Sequence, residues 1–115
     1  MIQLGTSYVL SPEQLVECDH SNSGCDGGWP SKAYDYVKSV GGQEQDSDYP
    51  YSSYYGTSFL CKATKSKFKI TVTNWSQISG DDAAAIESSM ASYVQSTGPL
   101  SLAVDANDWS DYTGT

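Results

Sequence analysis

Between positions 24 and 28 the chain reads Gly24-Cys25-Asp26-Gly27-Gly28, and this run limits the fold more than any other feature. Three glycines in five positions remove the side chains that restrict backbone angles, so the segment either turns sharply or lets another chain approach closely. Helix-start chemistry stands on both sides. Upstream, Ser11-Pro12-Glu13-Gln14 offers a capping hydroxyl, a proline at the first helical position and a glutamine able to complete a capping box. Leu15 and Val16 carry that short helix toward Cys18, and Asp19-His20-Ser21-Asn22-Ser23-Gly24 is polar turn chemistry. Downstream, Pro30 sits near the first turn of a second helix. Its Trp29, Ala33, Tyr36, Val37 and Val40 recur on one face until Gly41-Gly42 ends it.

The remaining chain is read in the same way. Residues 43–60 are loop-like, with Asp48-Tyr49-Pro50-Tyr51 followed by tyrosine, serine and glycine. Phe68, Ile70 and Val72 alternate with polar residues, the period of a half-buried strand. A third helix is expected from about Asp81 to Ser96, capped by Ser79, Asp81 or Asp82, with Ile86, Met90, Tyr93 and Val94 as its apolar stripe. Gly98-Pro99 stops it, and Leu100-Ser101-Leu102-Ala103-Val104 reads as a buried strand. Helix, helix, loop, strand, helix, strand is the order of an α+β protein.

Charge narrows the partners. Net charge is −8, from 14 acidic residues against six lysines and no arginine. Nucleic-acid binding needs clustered cations, and an anionic membrane surface needs them too, so neither partner is expected. No apolar run approaches the roughly 20 residues that span a bilayer. The opening Met1-Ile2-Gln3-Leu4-Gly5-Thr6-Ser7 lacks the cationic and apolar regions of a signal peptide. It begins, as Tyr112-Thr113-Gly114-Thr115 ends, without an element to dock it, so both ends read as cut.

Three cysteines, Cys18, Cys25 and Cys61, leave an odd thiol for any disulfide scheme. Three reduced, buried cysteines are one alternative. A zinc site from Cys18, His20 and Cys25 is another, although it lacks a Cys-x-x-Cys pair and a second cluster at ligand spacing.

Taken in order, Leu10-Ser11-Pro12-Glu13-Gln14-Leu15-Val16-Glu17-Cys18 and Gly24-Cys25-Asp26-Gly27-Gly28-Trp29-Pro30 resemble papain-like cysteine peptidases of the cathepsin L type. Asp48-Tyr49-Pro50-Tyr51, Cys61 and Gly98-Pro99-Leu100-Ser101-Leu102-Ala103-Val104 match further landmarks of that family in the right order. The resemblance implies an incomplete papain-like two-domain fold. Residues 1–65 would be part of the helical domain with the Gly-Gly cleft wall, and residues 66–115 part of the sheet-rich domain. It pairs Cys18 with Cys61 and leaves Cys25 unpaired, its partner lying upstream of the chain.

The resemblance also says what chemistry to expect. The family attacks peptide bonds with a cysteine thiolate and passes through a thioester. A histidine serves as base, an asparagine orients it, and a glutamine with backbone N–H groups holds the oxyanion. None of these catalytic residues falls within this sequence, so the chain alone is expected to be inactive. His20 reads as a solvated turn histidine rather than a substitute base, and Cys25 is not expected to serve as nucleophile.

The implied substrate-binding residues are Gly27 and Gly28, whose backbone would pair with an extended peptide, with Trp29, Pro30 and Ala103 at the pocket for the P2 side chain. Ser23 stands where papain has an aromatic of the next subsite, which puts an aromatic contact there in doubt. No cofactor and no metal is implied. The parent would be a cysteine endopeptidase, made as a zymogen and lysosomal, vacuolar or secreted. Its partners would be peptide or protein substrates and cystatin-type or propeptide inhibitors.

Two other readings remain open. A non-catalytic papain-like homologue would keep the cleft as a binding or structural module, and an unrelated small binding domain would stand by itself. Finally, Asn74-Trp75-Ser76 is an N-glycosylation sequon.

Overall fold

The computed structural model describes residues 5–114, so the leader reading of residues 1–4 and the last residue of the C-terminal end lie outside it. The backbone separates into two compact units, one ending at Ser76 and one beginning at Gln77.

The first unit is built around α1 (Pro12–Cys18) and α2 (Pro30–Val40). Ser11 caps α1 as expected, its Oγ accepting from the Gln14 N–H at 3.1 Å. The capping box is only half formed, which corrects the expectation for Gln14. The Ser11 N–H donates instead to the Glu44 carbonyl at 3.0 Å, so it has nothing to ask of the glutamine. The Gln14 side chain is drawn across to residues 42–44. Its Nε2 donates to the Gly42 carbonyl and to the Tyr36 hydroxyl, both at 3.2 Å, and its Oε1 accepts from the Glu44 N–H at 2.7 Å. Gly41 ends α2 in the left-handed region at φ 97°, where a side chain is strained.

Residues 43–46 run between two neighbours as a rudimentary sheet. Gln45 bridges Leu10 and Gln43 bridges Ile70, both antiparallel. The strand expected over Phe68–Val72 therefore shrinks to one bridged residue. Extending the ladder beyond Ile70 would require Gly41 to be extended, but Gly41 is still capping α2. Gly42 must stay bare for this crossing, since a Cβ there would lie 2.6 Å from the Ile70 carbonyl oxygen.

The interior of this unit is unusually polar. Cys18, Val37 and Tyr49 are its buried hydrophobic residues, whereas Ser11, Glu13, Gln14, Glu17, Gln43, Glu44 and Ser53 are buried beside them. The face of α1 turned inward is Glu13, Gln14, Glu17 and Cys18, with Leu15 and Val16 left half-buried.

The second unit holds α3 (Ala83–Ser96). Asp82 caps it, the carboxylate accepting from the Ala84 N–H at 3.0 Å, which settles the choice among the three candidate caps. Within the stripe, Ile86 and Met90 are half-buried while Tyr93 and Val94 are exposed. The strand expected at Leu100–Val104 is not formed. Residues 98–106 have irregular backbone, and Leu102 and Val104 are each 56% exposed. A strand is stable only with a partner to take up its N–H and C=O groups, and alternation in sequence does not supply one.

Candidate functional site

The glycine run lies directly after α1. Asp19 caps the helix end, its N–H donating to Leu15, and its buried carboxylate then organises the turn. It accepts from the Ser21 N–H at 3.0 Å, from the Ser21 hydroxyl, and from Asn22 Nδ2 at 2.6 Å. Asn22 in turn clasps Trp29, with Oδ1 accepting from the Trp29 N–H at 2.8 Å and Nδ2 donating to the Trp29 carbonyl at 3.3 Å. The Ser23 N–H donates to the Gly27 carbonyl at 2.9 Å, closing the loop around a single 3₁₀ turn at Gly24–Asp26.

Two of the glycines have distinct reasons. Gly27 sits at φ 103° and ψ −165°, a conformation open to glycine alone. Gly28 is fixed by space, because a Cβ there would overlap the Asn22 carboxamide and come within 2.7 Å of its Cβ. The sequence offered the approach of another chain as one reason for bare backbone. The approach seen is that of this protein's own Asn22.

The consequence is an exposed edge. Gly27, Gly28, Trp29 and Pro30 are all exposed, Trp29 at 65%. Among the described residues, the Gly28 N–H and C=O make no backbone hydrogen bond. Pro30 then opens α2 with Trp29 in the extended region ahead of it. An extended peptide could add to such an edge, one main chain against another.

The structure brings Gly27, Gly28, Trp29 and Pro30 together on this edge, as their adjacency requires. Ala103 lies in the second unit, exposed and in irregular backbone. Ser23 and His20 are exposed in the turn, and Cys25 is a free, exposed thiol. Cys18 and Cys61 are joined in a disulfide with Cα atoms 4.8 Å apart. Among the described residues no three His, Cys, Asp or Glu side chains are grouped to hold a metal ion, and no helix is long and apolar enough to cross a membrane.

Asp19 and Asn22 are the residues that sequence reading did not single out. Their signal was available in the Asp-x-Ser-Asn spacing, which lets one carboxylate accept from residues two and three positions on.

This clasp makes a direct prediction. Gly28→Ala is expected to lower stability by about 2 kcal/mol through overpacking against Asn22. In an Asn22→Ala background the same change should cost clearly less, since the overlapped group is gone. Urea unfolding of the two singles and the double would read this as a coupling. Simple additivity would mean that Asn22 does not set the need for glycine.

A family profile described as papain family cysteine protease matches residues 1–115. Cysteine proteinase 1 of Dictyostelium discoideum is 35% identical over 91% of this chain and 32% of its own length. A cathepsin L-like proteinase of Phaedon cochleariae is 37% identical over 98% of this chain and 33% of its own. The solved digestive procathepsin L2 proteinase from Tenebrio molitor larval midgut superposes with a TM-score of 0.79 at 31% identity, over 90% of this chain and 31% of that one. At that level of agreement the two backbones share one fold. The chain spans about a third of the length of these relatives.

Proposed function

Because the chain belongs to the papain family of cysteine proteases, we propose that it is a segment of a cysteine endopeptidase and supplies part of the wall against which a peptide substrate lies. The observation that carries this reading is the exposed Gly27–Pro30 edge, with the Gly28 main-chain groups making no backbone hydrogen bond among the described residues and the glycine fixed from behind by Asn22. An edge held in this way is preorganised, so less ordering is lost when a peptide adds to it.

In this reading Gly28 gives main-chain hydrogen bonds to the P2 residue, and Trp29 and Pro30 face its side chain. The thiolate, the histidine, the asparagine and the oxyanion donors belong to other parts of the protein. Residues 1–65 are part of the helical domain and residues 66–115 part of the sheet-rich one. Cys25 takes its partner from outside this segment. The parent is made as a zymogen on the secretory route to lysosome, vacuole or outside, and propeptide and cystatin-type inhibitors occupy the same edge as substrate.

The test compares the full-length protein with the 115-residue chain on a fluorogenic peptide carrying a hydrophobic P2 residue. The full-length protein is expected to hydrolyse it in a thiol-dependent way, and the chain is expected to be inert. Hydrolysis by the isolated chain would overturn the segment reading. A full-length protein that binds the peptide without cleaving it would instead mark a homologue that has kept the cleft and lost the chemistry.

A further inference from the structure

The triplet Asn74-Trp75-Ser76 has no part in the peptidase reading, yet its setting is specific. From Thr71 to Gly80 the chain forms neither helix nor strand. Among the described residues, no backbone–backbone hydrogen bond outside the helices involves this stretch. It can therefore adopt a local turn on another enzyme's surface without breaking a ladder.

The middle residue is anchored. Trp75 is half-buried, and its indole N–H donates to Asp35 Oδ1 on α2 at 2.7 Å. The residues on either side are exposed, as alternation along extended backbone leads one to expect. Neither the Asn74 amide nor the Ser76 hydroxyl makes a hydrogen bond within the described residues, so both groups that a glycosyl transfer requires are presented together.

We propose that Asn74 is an acceptor for an N-linked oligosaccharide. The inference rests on the secretory route in the proposed function, and the Cys18–Cys61 disulfide belongs to the same oxidising compartments. In the transfer, Asn74 Nδ2 attacks C1 of the first sugar of a lipid-pyrophosphate-linked oligosaccharide. The N–C1 bond forms and the C1–O bond to the pyrophosphate breaks. The amide gives up one proton to a base of the transferase, and the lipid pyrophosphate leaves. The product is a bulky, solubilising group on the surface beside α2.

The test expresses the full-length protein behind a supplied secretion leader in eukaryotic cells, so delivery does not depend on the protein's own route. A closed Cys18–Cys61 bond marks arrival. The peptide containing Asn74 is expected to carry a glycan that peptide N-glycosidase removes, converting the asparagine to aspartate. The glycan should vanish in Asn74→Gln and Ser76→Ala and persist in Ser76→Thr, which keeps the hydroxyl. A secreted, disulfide-closed protein with bare Asn74 overturns the proposal. In protein from its natural source, Cys18 and Cys61 found as free thiols would overturn the secretory reading and the native glycan with it, whereas a closed disulfide beside a bare Asn74 overturns the acceptor alone.

Discussion

Replacing Cys18 and Cys61 together by serine is expected to destabilise the folded protein by about 4 kcal/mol on the loop-closure estimate. The two cysteines are 43 residues apart in sequence, a long loop for the unfolded chain to close without a covalent link. The folded side of the balance points the same way. Cys18 is buried at the end of α1, but Cys61 follows a stretch in which Tyr54, Tyr55, Phe59 and Leu60 are all exposed. Apolar packing therefore contributes little to holding that stretch down. Among the described residues its non-covalent ties include the Gly56 N–H to the Ser53 carbonyl at 3.0 Å, the Tyr54 ring edge-on to Tyr51 at 4.9 Å and the Phe59 N–H to Glu17 at 3.2 Å, with the Lys62 N–H donating to the Tyr49 hydroxyl at 2.9 Å just past Cys61. Urea unfolding of the full-length protein and its double-serine variant would measure the loss. Reduction of the unaltered protein should produce the same shift, and proteolysis should then begin within residues 54–60. An unmoved midpoint would mean that these non-covalent ties alone fix the loop.

The bridge is also where the limits of the sequence show most clearly. Cysteine count and spacing left reduced thiols, zinc and a disulfide all open, and it was resemblance to a family that paired Cys18 with Cys61. Helices were legible by local chemistry. Ser11 and Asp82 are caps because their side chains meet a backbone N–H two or three residues on, an event confined to one turn. Gly41 closes α2 for an equally local reason. The strands were not legible, because alternation at Phe68–Val72 describes only one side of a pairing. Whether a ladder forms depends on what segment 41–45 is doing, and Gly41 is committed to the helix.

At the candidate edge the split is similar. The glycines announced that backbone would be approached closely, but not by what. Asn22 reaches Gly28 across a turn that the Asp-x-Ser-Asn spacing signals, but that spacing does not say which backbone the Asn22 carboxamide meets. The buried face of α1 was hidden for another reason. Periodicity counts apolar residues, and Glu13, Gln14 and Glu17 are buried polar ones. Burial of such groups is tolerable only when each finds partners, and most of those partners, Glu44, Tyr49, Ser52, Ser53 and Phe59, come from residues 43–60, which read simply as loop.

Glu17→Ala is accordingly expected to cost about 3 kcal/mol, because it strands buried donors as well as removing a side chain. One Glu17 oxygen accepts from the Tyr49 hydroxyl and the other from the Phe59 N–H. The same Tyr49 oxygen accepts from the Lys62 N–H, so one carboxylate organises the backbone on both sides of Cys61. No cation shares this work. The salt bridge among the described residues is Lys69 with Asp48, away from the cluster. Glu17→Gln should cost less, about 1–2 kcal/mol, since its oxygen can still serve Phe59 while the Tyr49 proton loses its acceptor.

The neighbours give the pH dependence. Burial pushes the Glu13 carboxyl up, but the Ser53 hydroxyl, the Ser52 N–H and hydroxyl and Glu17 together outweigh it and hold the group below its ordinary 4.5. A depressed carboxyl stabilises the fold above 4.5 and loses that contribution as pH falls through the lower folded value. For Tyr49, burial first and then the hydrogen bond to Glu17 push the phenol up to about 12. Its contribution is complete below 10 and is lost as pH rises from there through 12. Unfolding midpoints across pH should therefore bend at both ends in the unaltered protein. The acid bend should weaken in Glu13→Gln and the alkaline bend should weaken in Tyr49→Phe, with the remainder left to Tyr36, whose phenol burial also pushes up. Bends undiminished by these substitutions would place the titrating groups elsewhere and remove this cluster as the clamp on the disulfide loop.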